Sequence, residues 1–401
     1  MSEAHAIRSS FKKQNFMDQG NLYSLGLDID KKEFKACLKS KAVNSQSIVK
    51  ATKTFNNGPA GFKELHLWIT KHVDHLNHLR IIMEATGVYH EHLAWYLFEL
   101  GYLLHIILPF RAHHYMQSLG IKSKNDKIDA QGLADMAIQQ ELEPWQPCSK
   151  ELLKLRSLTR QYEMFQETKT SLSNQLEAAL HLANCDTMVI RNLKSLIKKI
   201  SDDINKLKSK IENIVLKDPV LSRKYSLIQS IKGFGIISFA VLVAETGGFE
   251  LFENQKQLVS YAGYDIVENQ SGKRVGKTKI SKRGNTHMRR VLFMPAFNVV
   301  RYEVSTFYQL YSRVYERGKV KMKAYVAVQR KLLCTIYAIW KNDNPFNPDF
   351  QSKNNSGIHE PKPLFSADTQ GPKKIVATDN AAATLDELPC NHSPEALFSV
   401  K

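Results

Sequence analysis

The stretch Tyr23-Ser-Leu-Gly-Leu-Asp28-Ile-Asp30 decides the fold. It is a short apolar run closed by acids, and such a run reads as a buried strand. Phe34 to Leu38 is a second run of this kind, and Ser47 to Phe55 supplies a third. Gly58-Pro59 then punctuates the chain, after which Phe62, Leu65, Leu67, Trp68 and His72 take a helical spacing. Next come a strand over Leu79–Met83, a helix from about Tyr89 to Leu100, a strand over Leu103–Leu108, and helical segments from about Phe110 and Asp126. Three strands in a row, followed by helix, strand, helix, strand and helix, is the order expected of a ribonuclease-H-like domain with a mixed sheet.

Asp28 closes the first run, and Glu84 stands at the same place on the fourth, in Arg80-Ile-Ile-Met-Glu84-Ala-Thr-Gly. Acids at the ends of adjacent strands can face one another. Asp126 and Asp129, in Lys124-Asn-Asp126-Lys-Ile-Asp129-Ala, are three apart on a predicted helix and share a face. Together the four form a cradle for Mg²⁺, which takes oxygen ligands and keeps several waters. Phosphodiester cleavage builds charge on the attacking and leaving oxygens, and two such ions about 4 Å apart hold both. Strand alternation puts Asp30 on the same face as Asp28, so periodicity leaves the choice between them open. Singly, each acid also reads as a turn, cap or helix-start residue.

The 401-residue chain has room for about two to three domains. A formal net charge of +17 favours a polyanionic partner, nucleic acid before an anionic membrane surface. From Ser352 on, five Lys stand against six Asp or Glu, so the excess lies in the folded body. Five cysteines without a C-x-x-C pair argue against a zinc ribbon or a disulfide framework and fit a reducing cytoplasm. Residues 1–20 lack the apolar core of a secretory signal and read as a flexible arm. Leu93 to Phe110 is interrupted by Glu99, Gly101 and His105 and ended by Pro109, which suits a buried helix and strand rather than a membrane span. His72, His75 and His78 drift around a helix at steps of three, a poor zinc site.

From Leu152 the chain changes character. Leu155, Leu158, Tyr162, Phe165, Leu172, Leu176 and Leu180 recur at helical steps, and so do Leu193, Leu196, Ile197, Ile200, Ile204, Leu207 and Ile211, with a turn at Asn184–Thr187. Two long helices over 150–216 follow, as an antiparallel pair or an intermolecular coiled coil. Ser226 to Glu245 reads as helix, Gly233-Phe-Gly235, helix. In one reading Lys232, Gly233 and Gly235 approach a phosphate at the second helix's N-terminus; in the other this is a plain core hairpin. Tyr302, Phe307, Tyr308, Tyr311 and Tyr315 read as core rather than as a base-stacking platform. Beyond Asn342 the chain is rich in Asn, Pro, Ser and Ala with little periodicity, so 343–401 reads as a disordered tail.

The motifs Leu25-Gly-Leu-Asp28, Met83-Glu84-Ala-Thr-Gly-Val-Tyr89, Lys124-Asn-Asp126-Lys-Ile-Asp129-Ala and Ser271-Gly-Lys-Arg-Val-Gly-Lys-Thr-Lys-Ile-Ser-Lys-Arg-Gly-Asn285 resemble the DEDD transposases of the insertion sequence one-ten family and its eleven-eleven subgroup. The resemblance runs from about Tyr23 to Arg301. It implies a RuvC-like catalytic domain over 21–145 with Asp28, Glu84, Asp126 and Asp129 as its acids, which settles Asp28 over Asp30. It also implies a mainly helical transposase domain over 217–342, whose Ser-Gly motif makes Ser271 a nucleophile that becomes covalently linked to DNA. Partners implied are the DNA of element ends and target, a structured guide RNA, and further copies of the chain as a dimer or tetramer. The stretch before the serine, Tyr264-Asp-Ile-Val-Glu-Asn-Gln, departs from the family by lacking a proline.

On the residues alone, Asn269-Gln-Ser271-Gly also reads as an ordinary hairpin turn. What favours chemistry is the segment from Gly272 to Arg290, with eight Lys or Arg and no acid. A serine hydroxyl is a poor nucleophile unless a neighbour takes or disfavours its proton, and cations stabilise the phosphoryl charge. Lys273, Arg274, Lys277, Lys279, Lys282 and Arg283 are the candidates, with Arg289 and Arg290 on a helix starting at Asn285 and Thr286. Ser281 reads as a capping or phosphate-binding residue rather than a rival nucleophile. Two other functions fit the residues less fully: a RuvC-like junction nuclease using water, and a non-catalytic nucleic-acid scaffold.

Overall fold

Residues 22–42, 45–85, 87–120, 125–268, 270–271, 274–276 and 279–347 are described by the computed structural model, residues 270, 271, 274 and 275 by their backbone only. The arm and most of the tail expected from the sequence lie outside them. The apolar runs form β1 (Leu22–Ile29), β2 (Glu33–Lys41), β3 (Ile48–Asn56), β4 (Leu79–Glu84) and β5 (Leu104–Ile107), one sheet in the order β3-β2-β1-β4-β5. The first three strands are antiparallel; β4 and β5 run parallel to β1. Parallel neighbours need a crossover, which α1 (Pro59–His72) and α2 (Glu91–Glu99) supply. This is the mixed sheet expected of a RuvC-like domain.

Alternation along β1 sorts the two faces. Leu25, Leu27, Ile81 and Met83 meet Phe62, Leu65 and Ile69 of α1 and Leu93 and Leu97 of α2. On the other face lie α3 (Pro109–Ser118) and α4 (Asp126–Gln139), where Ile82 and Ile107 meet Ala112, Tyr115, Leu133, Met136 and Ala137. Gly26 sets the approach of α4. A Cβ there would stand 2.1 Å from the Ala130 carbonyl oxygen and 2.6 Å from the Ala134 nitrogen, so any side chain would drive the helix off the sheet. The Ser24 hydroxyl donates to the Ala134 carbonyl at 2.6 Å and fixes the helix lengthwise.

The second half is helical: α5 (Lys150–His181), α6 (Thr187–Lys217), α7 (Pro219–Ile228), α8 (Ile236–Thr246), α9 (Gln255–Tyr261), α10 (Thr286–Val291), α11 (Phe293–Arg301), α12 (Ser305–Gly318) and α13 (Lys321–Asn342). Helices α5 and α6 form an antiparallel pair whose base belongs to the C-terminal core. Leu155, Ile211 and Val215 are buried with Phe239, Leu242, Leu292 and Leu332, so the core shows no break at position 217. Farther out, Leu180, Leu182, Met188, Val189 and Leu196 are exposed. The ordered body also continues past Asn342. Phe346 stacks on Phe307, and Asp343 pairs with Lys224 and Arg223.

The extensive contacts fall into two sets, the sheet with α1–α4 and the remaining helices. Trp145 lies between them in sequence and packs edge-on against Trp95 and Phe98. Among the described residues no helix is long and apolar enough to cross a membrane.

Candidate active site

Asp28, Glu84 and the start of α4, which carries Asp126 and Asp129, lie on one side of the sheet because two strand ends and one helix start coincide. Ser24, Gly26 and Asp28 alternate onto the α4 face of β1. Ser24 and Gly26 lie against Ala134 and Ala130, so β1 and α4 run in opposite senses. Asp129 immediately precedes Ala130 along α4 and Asp126 lies one turn before it, toward the Asp28 end of β1. On β4, Met83 is level with Leu27, which puts Glu84 beside Asp28. Glu84 shares the α4 face with Ile82, and its partner on β5 is Ile107 of the same face. The Asn125 side chain caps α4, accepting from the Ile128 amide at 2.8 Å, and carboxylates in the first turn suit the helix dipole.

Lys35 is the cross-strand partner of Asp28, and its ammonium group forms an ion pair with Asp126. That hydrogen bond, more than any other influence, raises the lysine above its ordinary pKa against a loss from desolvation, and Asp28 adds to the effect through its charge. The sequence gives little sign of this contact, since Lys35 reads as one of many lysines.

Carboxylate oxygens are the donors that Mg²⁺ takes, a cation held by a few carboxylates with retained waters. In the present arrangement, among the described residues, no three carboxylate, imidazole or thiol side chains are grouped closely enough to hold one ion. His75 and His78 stand 5.9 Å apart between ring centroids, and His72 bonds to the Trp68 carbonyl.

The serine belongs to the other set of elements. Strands β6 (Ile266–Val267) and β9 (Lys279–Ile280) pair antiparallel, and between them β7 (Gln270–Ser271) pairs with β8 (Arg274–Val275). Ser271 thus sits where an antiparallel arm turns back, with its backbone opposite Arg274. Lys273 and Lys277 lie outside the described residues.

Ser281 is held at the root of the arm. Its hydroxyl donates to Asp265 at 2.8 Å and accepts from the Arg283 amide, a structural use that fits the capping reading. Lys282 follows with a left-handed backbone, and its amide donates to the Gly263 carbonyl. Asn285 caps α10 as expected, accepting from the Met288 amide at 3.1 Å. Arg289 donates to the Ala262 carbonyl, and Arg290 pairs with Glu167, so both are engaged by protein. At the α7–α8 turn, Gly233 has φ +91° and a Cβ would stand 2.7 Å from that of Asn298. Close packing on α11 accounts for that glycine, whereas the Cβ direction of Gly235 is open. Lys232 lies over the Tyr302 ring at 4.8 Å, with Tyr302 exposed and Phe307 buried.

A polar seam ties α5 to the segment that follows the arm. Arg160, Glu163 and Glu167 stand at helical spacing and meet Glu245, His287 and Arg290 respectively. Glu245 is 1% exposed. It receives two hydrogen bonds from Arg160, at 2.8 and 3.0 Å, and one from Asn285 at 2.7 Å. Burial pushes its carboxyl up, but those hydrogen bonds and the arginine charge outweigh it and leave it below the ordinary value. Sequence reading missed this network, because charged residues on a long helix look like a solvated face. Removing one partner is asymmetric. Arg160→Met strands a buried carboxylate and is expected to cost about 3 kcal/mol, whereas Glu245→Gln frees a half-exposed guanidinium and costs about 1–2 kcal/mol. Chemical denaturation at pH 7 measures both; equal losses would contradict the asymmetry. Because the folded pKa lies below the unfolded one, the Glu245 contribution is present above the unfolded value and is lost as pH falls through the folded one.

A mixed sheet of this order is thus joined in one chain to a helical half that carries a two-stranded arm. Residues 25–184 match the DEDD transposase model of the IS110 type, and residues 225–312 match the transposase family IS116/IS110/IS902. The chain is 33% identical over 325 residues to the pilin gene-inverting protein of Moraxella bovis, covering 80% of this chain and 97% of that protein. It is 22% identical over 248 residues to the transposase for insertion sequence element IS1111A of Coxiella burnetii, covering 55% and 66%. The solved RuvC of Thermus thermophilus is similar over 31% of this chain and 100% of its own, at 11% identity and a TM-score of 0.25. The chain belongs to the IS110 family of transposases.

Proposed function

We propose that the enzyme exchanges DNA strands through a covalent link to Ser271, with Asp28, Glu84, Asp126 and Asp129 holding Mg²⁺. The observation that carries this reading is that Asp28 and Glu84 end β1 and β4 side by side on the α4 face, while Lys35, the cross-strand partner of Asp28, pairs with Asp126 at the start of α4. When bound, Mg²⁺ supplies positive charge to the phosphate oxygens that become more negative in the transition state. The Ser271 oxygen attacks phosphorus, a serine–phosphate bond forms, and one P–O bond to deoxyribose breaks. The hydroxyl proton leaves to a base or water, and the departing sugar oxygen takes one up. The link keeps the phosphodiester's energy, so a second sugar hydroxyl reverses the step and rejoins strands without ATP.

Acids and serine belong to separate sets of elements, so the complete site forms when the two approach, within one chain or between copies. The exposed apolar side chains on the outer half of the α5–α6 pair favour assembly of several copies. The net charge of +17 also suits a structured RNA of the element as a second polyanionic partner, the selector of target and donor DNA in this reading. Purified protein incubated with element-end DNA and Mg²⁺ is expected to yield protein-linked strands on denaturing gels. Hydrolysed ends without attached protein would instead favour a nuclease that uses water.

A further inference from the structure

The row of side chains across the α4 face does not stop at the acids. Glu84, Asp28, Lys35 and Thr54 follow one another across β4, β1, β2 and β3. Past Lys35 the sheet is no longer covered, since α4 packs on β1, β2 and β4, and Thr52 and Thr54 are exposed. A groove of about 310 Å³ lies there, lined by Lys35, Cys37, Thr52, Thr54 and Lys127, with no acid among its described lining residues. Hydroxyl and ammonium groups are donors, and a phosphodiester is an acceptor.

We infer that Lys35 is the resident counter-cation of the acid cluster: a divalent cation takes Asp126 from its ammonium group, which then turns to a phosphate of a nucleic-acid strand lying in this groove. The inference rests on the carboxylate reading proposed above. Asp126 is now engaged with Lys35, and the acids do not yet converge on an ion. The lysine and aspartate side chains are 33% and 62% exposed, so water and salt screen their attraction and the pair exchanges readily. A divalent ion carries twice the ammonium's charge and contacts several carboxylates at once. Charge balance then leaves Lys35 beside the groove, next to the place where a strand must lie to reach the acids.

Mn²⁺ binding to the full-length protein, measured by calorimetry, tests this with Lys35→Met, Lys35→Arg and Asp28→Asn. Lys35→Met removes the competitor and is expected to bind Mn²⁺ about three- to tenfold tighter, while Lys35→Arg stays near wild type. With Ca²⁺ present, Lys35→Met is also expected to bind branched DNA more weakly, its salt slope reduced by about one. Mn²⁺ affinity of Lys35→Met at or below the wild-type level overturns the inference. If Asp28→Asn nonetheless loses Mn²⁺, the carboxylate reading survives that failure. If the wild type binds no Mn²⁺, or Asp28→Asn binds it unchanged, the carboxylate reading falls and the inference with it.

Discussion

Ser271→Ala is expected to eliminate the protein-linked DNA and lower strand exchange by several orders of magnitude, because no other group replaces a missing nucleophile. Binding of element-end DNA should stay within about twofold, since the lost hydroxyl is one neutral group beside many cations. The fold should be unaffected, because the substitution removes one hydroxyl from a two-residue strand paired with β8. Gel assays of linked DNA, with filter binding as the control, separate chemistry from affinity. Adducts at the wild-type level in Ser271→Ala would remove the serine from the mechanism. Ser281 is the nearest alternative in sequence, yet its hydroxyl is committed to Asp265 and to the Arg283 amide.

Asp28→Asn is expected to cost at least about 10²-fold in strand exchange while leaving the thermal midpoint unchanged or slightly higher. Asparagine keeps the shape of the side chain and removes one like charge from beside Glu84, which relieves repulsion when no divalent cation is bound. A structural carboxylate behaves in the opposite way: its loss lowers stability and leaves the remaining enzyme active. Calorimetry together with the strand-exchange rate distinguishes the two. Glu84→Gln should repeat the pattern, as Glu84 stands beside Asp28 at the end of β4. Activity within a few-fold of wild type for either variant would mean that the carboxylates do not serve the reaction.

Much of the first domain was legible in the sequence because each apolar run is short, separate and closed by a turn or an acid. Patterns of that kind place the strands and helices here within about three residues at either end, β2 running on to Lys41 past the Leu38 read from sequence. The approach of the α4 start to the end of β1 was harder to read, because it depends on Gly26 admitting α4 close to β1, and a glycine in a strand reads equally as a defect. Lys35 and the Arg160–Glu245–Asn285 network were not legible at all. Both pair charges more than 80 positions apart, and the same residue types occur throughout the exposed surface. The Gly233 turn shows the reverse case, since a motif with a phosphate-binding reading has a packing partner in Asn298 sufficient to explain its first glycine.

In the proposed reaction DNA becomes attached to one particular hydroxyl. The most direct measurement is mass spectrometry of the protease-digested, nuclease-trimmed adduct formed by the wild-type enzyme with Mg²⁺. A nucleotide remnant on the peptide containing Ser271, lost in Asp28→Asn, is the predicted result. A remnant mapped to any other residue, or cleaved DNA with no modified peptide, would contradict it.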